Sequence, residues 1–252
     1  DYDPTKIDVK SMQIKDLPFS VFNFLKKLIS IDEEVSPKKT ISAIISEIDF
    51  KGSSIWILIC SIVVASIGLN NNSNAVIIGA MLISPLMGPI RGIGLSLATN
   101  NFKILIRSLI NFGVMVGVSL LASYIFFLIT PLKAETSELL LRTKPYVFDI
   151  LIAFFGGLAG IIAAATSSKN AGLTVIPGVA IATALMPPLC TVGYGMAVGN
   201  WDYFAGAFYL FSLNSVFICL STFLIIRLLK FPKVEFINPK TERKVKFYVV
   251  FI

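Results

Sequence analysis

An apolar stretch from Asn74 to Asn101, NAVIIGAMLISPLMGPIRGIGLSLATNN, returns in altered form ninety-nine positions later as Leu173 to Asn200, LTVIPGVAIATALMPPLCTVGYGMAVGN. Laid together without a gap, the two share Val76/Val175, Ile77/Ile176, Gly79/Gly178, Leu86/Leu185, Met87/Met186, Pro89/Pro188, Gly94/Gly193, Ala98/Ala197 and Asn101/Asn200. Nine matches in 28 positions make this a repeat and not a chance likeness of two apolar segments. Each copy is long enough to cross a bilayer at about 1.5 Å per residue, yet carries prolines and glycines at its centre. A proline has no N–H for the carbonyl four residues earlier. Pro85 and Pro89 thus release the carbonyls of Met81 and Pro85, and Pro187 and Pro188 those of Thr183 and Ala184. In hydrocarbon those oxygens must be met by protein, water or a solute. The expectation is a proline-broken middle helix in each copy.

The whole chain is 55% hydrophobic over 252 residues, with a mean hydropathy of +0.80, which places it among integral membrane proteins. Between Ser53 and Ile226 there are only seven Lys/Arg and four Asp/Glu, so the two tails carry most of the charge and the middle is the membrane part. The net charge of +7 fits basic flanks facing anionic lipid. No basic, aromatic-interleaved stripe or zinc spacing points to nucleic acid. Histidine is absent, which removes the usual metal ligand and general base. Cys60, Cys190 and Cys219 lie in apolar segments and read as small buried hydrophobes. With Asp149 the only acid near a span and no nucleotide-binding glycine motif, the residues assemble no catalytic, cofactor or metal site, and the chain is expected not to be an enzyme.

Taken in order, residues 1–52 form a cytoplasmic segment with two amphipathic helices. The first carries Val21, Phe24, Leu25, Leu28 and Ile29 on one face, and the second starts at Ser36-Pro37 and carries Ile41, Ile44, Ile45 and Ile48. Residues 53–130 are membrane repeat 1, with spans at Ser53–Leu69, the first motif, and Ile104–Ile129. An external connector of mixed charge occupies 131–147. Membrane repeat 2 occupies 148–230, with spans at Asp149–Ser168, the second motif, and Tyr203–Leu229. Residues 231–252 begin a cytoplasmic extension. A start at Asp1 and an end on KVKFYVVFI read as a fragment of a longer protein.

Six crossings put the eight N-terminal lysines, Lys103/Arg107, Lys169 and the basic C-terminal flank on one side, which is then cytoplasmic. Three crossings per repeat is an odd number, so the second copy runs opposite to the first. The fold expected is therefore an all-α polytopic membrane protein built from two inverted-topology repeats of three, with both breaks brought to the midplane.

Arg91 is the one charge near the middle of any crossing. It either contacts an anion or polar solute, or caps freed carbonyls of the other repeat or snorkels. Ser84 and Thr183 hold matched positions before the breaks, where a hydroxyl either bonds back one turn or faces a solute. Asn111 and Asn214, in the third and sixth spans, either glue helices or line a pathway. Asn70 and Asn74 on one side, and Ser168, Lys169 and Asn170 on the other, form polar mouths or ordinary turns. Small-residue faces at Gly156 to Ala165 and Gly113 to Gly117 suit close packing within the subunit or in a homo-oligomer.

The run IIGAMLISPLMGPIRGIGLSLATNN resembles the first signature of domain-of-unknown-function family 389, the uncharacterised hydrophobic domain of prokaryotes, and GLTVIPGVAIATALMPPLCTVGYGMAVGN resembles its second, with Pro177 added to the core. The resemblance covers about residues 50–230. It implies a prokaryotic cytoplasmic-membrane protein that often carries a soluble extension, and no established activity. From the residues, the function expected is a transporter or channel-like permease for a small polar or anionic solute, with a midplane site made by Ser84, Pro85, Pro89, Arg91, Thr183, Pro187 and Pro188. The alternative is a membrane-embedded sensor or scaffold whose soluble extensions bind a ligand or partner. Membrane lipid is the one partner common to both.

Overall fold

The computed structural model describes residues 36–49, 52–131, 135–166 and 175–232, with side chains of the last segment described from Ala184 onward. The first amphipathic helix, the 168–170 mouth and the C-terminal extension lie outside these residues.

Among the described residues the chain is helical: α1 Pro37–Ile48, α2 Gly52–Asn70, α3 Asn74–Ile83, α4 Met87–Thr99, α5 Phe102–Ile129, α6 Ser137–Leu141, α7 Val147–Thr166, α8 Val175–Val198 and α9 Trp201–Leu228. Four of these, α2, α5, α7 and α9, are long and apolar enough to cross a membrane, and the pair α3 with α4, bent by 57°, makes a fifth if taken as one span. The outer faces of these helices leave residues such as Ile110, Leu121, Phe155 and Val216 exposed, as lipid contact requires.

The two motifs occupy the centre. Ala184 to Gly195 of α8 and Gly88 to Ser96 of α4 are buried without interruption, the mark of a helix covered on every side. Around α8 stand α5, α7 and α9, with α2 and α3 also touching it. Leu185, Met186, Leu189 and Tyr194 are almost fully buried there, and Tyr194 packs edge-on against Phe127 and Tyr203.

Local structure follows the repeat closely. Asn100 and Gly199, ninety-nine apart, both adopt positive φ, at 57° and 70°, the left-handed turn that ends a helix. The next N–H closes the same loop in each copy, Asn101 to the Ser96 carbonyl and Asn200 to the Gly195 carbonyl, both at 2.9 Å. Both asparagine side chains then cap the following helix, accepting from Ile104 N–H at 3.3 Å and Asp202 N–H at 3.0 Å. The helices they start, α5 and α9, are 28 residues each. That shared length removes the need for any insertion, so Asn111 aligns with Leu210 and Asn214 with Met115, one helical turn off the pairing suggested by residue type alone.

Packing between copies is reciprocal. A Cβ on Gly94 would lie 2.6 Å from Thr222 Cβ, and one on Gly193 would lie 2.6 Å from Ser123 Cβ. Gly94 and Gly193 are equivalent in the repeat, as are Ser123 and Thr222, so each motif helix rests on the long helix of the other copy. The small-residue face of α7 is used in the same way: Gly157 sits against Ser221 of α9, whereas Gly113 and Gly117 face open space.

The prolines behave differently in the two copies, which corrects the expectation of two broken helices. In the first, the chain leaves helical geometry at Ser84 and resumes at Met87, so Pro89 falls in the first turn of α4, where its missing N–H has no intrahelical partner to serve. In the second, α8 continues through Pro187 and Pro188. If the reciprocal contacts carry the bundle, Gly94→Ala and Gly193→Ala each lower stability in detergent by about 1–3 kcal/mol through overpacking. Gly113→Ala raises it by roughly 0.5–1 kcal/mol, since there only the helix-entropy term applies. Denaturant titration of the three variants checks the opposite signs.

Candidate functional site

The carbonyl of Ala184, deprived of its helical partner by Pro188, accepts a hydrogen bond of 2.7 Å from Asn214 Nδ2. Asn214 is 2% exposed. It stands in for the backbone N–H that Pro188 lacks, so this carbonyl is met while α8 runs on through its prolines. Thr191 Oγ donates back to the Pro187 carbonyl at 2.9 Å and tightens the same turn. Since Nδ2 is committed to the carbonyl, Oδ1 of Asn214 is the free acceptor, buried and without a partner among the described residues.

Beside it lies a recess of about 40 Å³ whose wall is Arg142, Asp149, Ile152, Ala184, Pro188, Leu210 and Asn214. That volume admits a few waters or one small solute. Its polar groups are mixed in sign. Arg142 donates from Nη2 to Glu138 Oε2 at 3.3 Å, and its Nε is buried and unpartnered among the described residues. Asp149 accepts from the Tyr146 N–H at 3.0 Å. The recess is thus walled by residues that carry an amide, a guanidinium and a carboxylate.

The connector contributes Arg142 to this wall and is itself tied to the bundle. Thr136 caps α6 and also donates to the Leu69 carbonyl at 2.7 Å, while Asn72 Oδ1 accepts from Ser137 and from the Glu138 N–H at 2.9 and 3.1 Å. Glu138, only 8% exposed, must be paired at that depth. It takes Asn74 Nδ2 on one oxygen at 2.9 Å and Arg142 on the other. Asn74 of the mouth is therefore bound to the connector, and Asn70 is beside it with a buried, unpartnered Oδ1.

Arg91 is elsewhere. Its Nη2 pairs with Glu47 of α1 at 2.6 Å, and the arginine side chain is 6% exposed against 41% for the glutamate. A Cβ on Gly88 would run into the Glu47 carbonyl and one on Gly92 into Ile48, so α1 lies directly on α4. Ile44 and Ile48 are fully buried in this contact, and Arg107 of α5 pairs with Asp49 just past the helix. The partner that the structure gives Arg91 is thus Glu47 of the N-terminal segment, and its Nε is buried without a partner among the described residues.

Of the residues singled out from sequence, Pro188 and Asn214 line the recess, and Ser84, Pro85, Pro89 and Arg91 do not. Met81's carbonyl accepts from the Ser84 N–H at 3.2 Å, and Ser84 Oγ is buried without a partner among the described residues. Asn111 is half-buried on α5, and the side chain of Thr183 lies outside the described residues. Sequence reasoning missed Arg142, Glu138 and Glu47. The i, i+4 spacing of Glu138 and Arg142 was the available signal for the first two.

A family model described as a domain of unknown function, DUF389, matches residues 81–220, from the bend before α4 to the middle of α9. The chain belongs to the DUF389 family. It is similar to an uncharacterised protein of the archaeon Methanocaldococcus jannaschii, 28% identical over 203 residues, which are 77% of this chain and 60% of that relative. The DUF389 chain thus spans under two thirds of that relative's length. No solved structure matches.

Two measurements test the site. Asn214→Ala strands a buried carbonyl and lowers stability by about 1–3 kcal/mol. In a Pro188→Ala background, where the backbone N–H returns, the same substitution has little effect, and a double-mutant cycle reads the difference. At the other pair, Glu47→Gln destabilises more than Arg91→Leu, because only the first leaves a buried cation without its counter-charge. Equal effects in paired melts would contradict this.

Proposed function

We propose that the chain is the membrane core of a transporter or channel-like permease for a small polar or anionic solute. Its six crossings would be α2, the α3/α4 pair, α5, α7, α8 and α9, related as two inverted repeats with both termini cytoplasmic, in a prokaryotic cytoplasmic membrane. The reciprocal seating of Gly94 on Thr222 and Gly193 on Ser123 supports the pseudo-two-fold relation. The observation that carries the solute site is the recess at Pro188, walled by Arg142, Asp149 and Asn214 beside the proline-released Ala184 carbonyl. Intramembrane polar groups of this kind, beside a proline-released carbonyl, are what solute and ion pathways are made from. Arg142 takes over the role first given to Arg91, as the cation nearest the released carbonyl. The recess volume favours a solute of few atoms.

A second reading, a membrane-embedded sensor or scaffold, is favoured by the ion pairs Arg91–Glu47 and Arg107–Asp49, which couple the N-terminal segment to α4 and α5. Flux measurements separate the two. In proteoliposomes screened with small anions and small neutral polar solutes, at least one solute moves. Arg142→Gln and Asn214→Ala then slow it by about tenfold or more, the worth of one or two hydrogen bonds to the solute. Glu47→Gln leaves its selectivity unchanged. No flux for any solute in correctly folded protein would sink the permease reading and leave the sensor.

A further inference from the structure

On the opposite side of α9 from α7, an apolar groove of about 330 Å³ opens between α4, α5 and α9. Its wall includes Leu97 of α4, Leu109 and Phe112 of α5, and Val216, Leu220 and Phe223 of α9. The one hydroxyl in it, on Ser215, is already spent on the Phe211 carbonyl at 2.8 Å. Nothing in the wall asks for a polar occupant. Along α9 the groove extends from Ser215 to Phe223, nine residues, or about 12 Å of helix. That is close to the depth of hydrocarbon in one leaflet, about 15 Å.

One end of the groove is cationic. Arg227 places its guanidinium over the Phe223 ring, 5.7 Å from the centroid. Lys103 and Lys230 are exposed at the same end, at the start of α5 and just past α9. Arg107 is held by Asp49, but neither Lys103, Arg227 nor Lys230 has a carboxylate partner among the described residues. We infer that this groove is a binding site for an anionic phospholipid, one acyl chain lying between α4, α5 and α9 and the phosphate held by Lys103 and Arg227. A second copy of the chain is a poorer occupant. Parallel copies meeting at this face would set each copy's Lys103 and Arg227 in the same leaflet as the other's, and like charges there repel. A lone acyl chain without an anion would leave the three cations without a use.

The test is retention of lipid by the full chain in mild detergent, read by native mass spectrometry with phosphatidylglycerol and phosphatidylcholine of equal chain length. Phosphatidylglycerol is expected to be retained, and Lys103→Gln and Arg227→Gln each to weaken it by about fivefold, the worth of one cation near an anionic surface. Val216→Trp, at a position already half exposed and so tolerant of bulk, fills the groove and displaces the lipid. Each variant is first shown to be monodisperse with the parent's helical circular dichroism. Equal retention of the two lipids, or retention unchanged by Val216→Trp, overturns the proposal. So does efficient disulfide cross-linking of Val216→Cys between copies in lipid, which would give the groove to a partner subunit.

Discussion

A backbone carbonyl inside an apolar bundle has to be met, and the proline-bearing motif at the heart of this protein turns that requirement into architecture. Two copies of the motif resolve it in different ways. In the first the chain abandons the helix for three residues, gives the Met81 carbonyl to the Ser84 N–H, and restarts with Pro89 in a first turn that has no bond to lose. In the second the helix is kept and Asn214 lends an amide N–H to the Ala184 carbonyl from across the interface. The position equivalent to Asn214 in the first copy is Met115, which has no donor to lend. The Asn214 donor, together with Pro85 standing where the second copy has Ala184, separates a helix bent by 57° from one that runs through two consecutive prolines.

The difference has a functional edge. A bend satisfied by its own backbone is closed chemistry, while a bridge made by an amide leaves the other half of that amide free. Asn214 Oδ1 is that half, buried without a partner among the described residues, and Asn214 lines a recess together with Arg142 and Asp149. Both come from the segment around the connector, held in place by Thr136 on the Leu69 carbonyl and by Glu138 between Asn74 and Arg142. A stretch that reads as a charged linker thus gives the recess one of its wall residues, Arg142. At the other motif α1 does the corresponding work, laying Glu47 on Arg91 and burying Ile44 and Ile48 against the bundle. Such a pair adds little net stability against a hydrophobic alternative, since burying the arginine is expensive, but it fixes where α1 sits.

Much of this was legible beforehand. The spans at 53–69, 104–129, 149–168 and 203–229 agree with α2, α5, α7 and α9 to within two residues at each end, because uncharged apolar runs of that length have few other uses. The amphipathic stripe of Ile41, Ile44, Ile45 and Ile48 foretold α1 and its buried face. The released carbonyls were predicted residue by residue, including that of Ala184. Their fates were not, because the donor to Ala184 sits 30 residues away on another helix. The partner of Arg91 was hidden for the same reason, Glu47 lying in a segment that reads as separate from the membrane part.

What the amino-acid order settled by itself is the set of local obligations: which stretches must avoid water, where the repeat falls, and which oxygens each proline orphans. These depend only on neighbours in the chain. Who discharges each obligation was decided by the tertiary structure alone, since a side-chain donor or counter-charge reaches only a few ångströms and packing chooses which distant residue comes that close. The register of α9 against α8 put Asn214, and not Asn111, beside an orphaned carbonyl, and with it placed a polar recess at a proline.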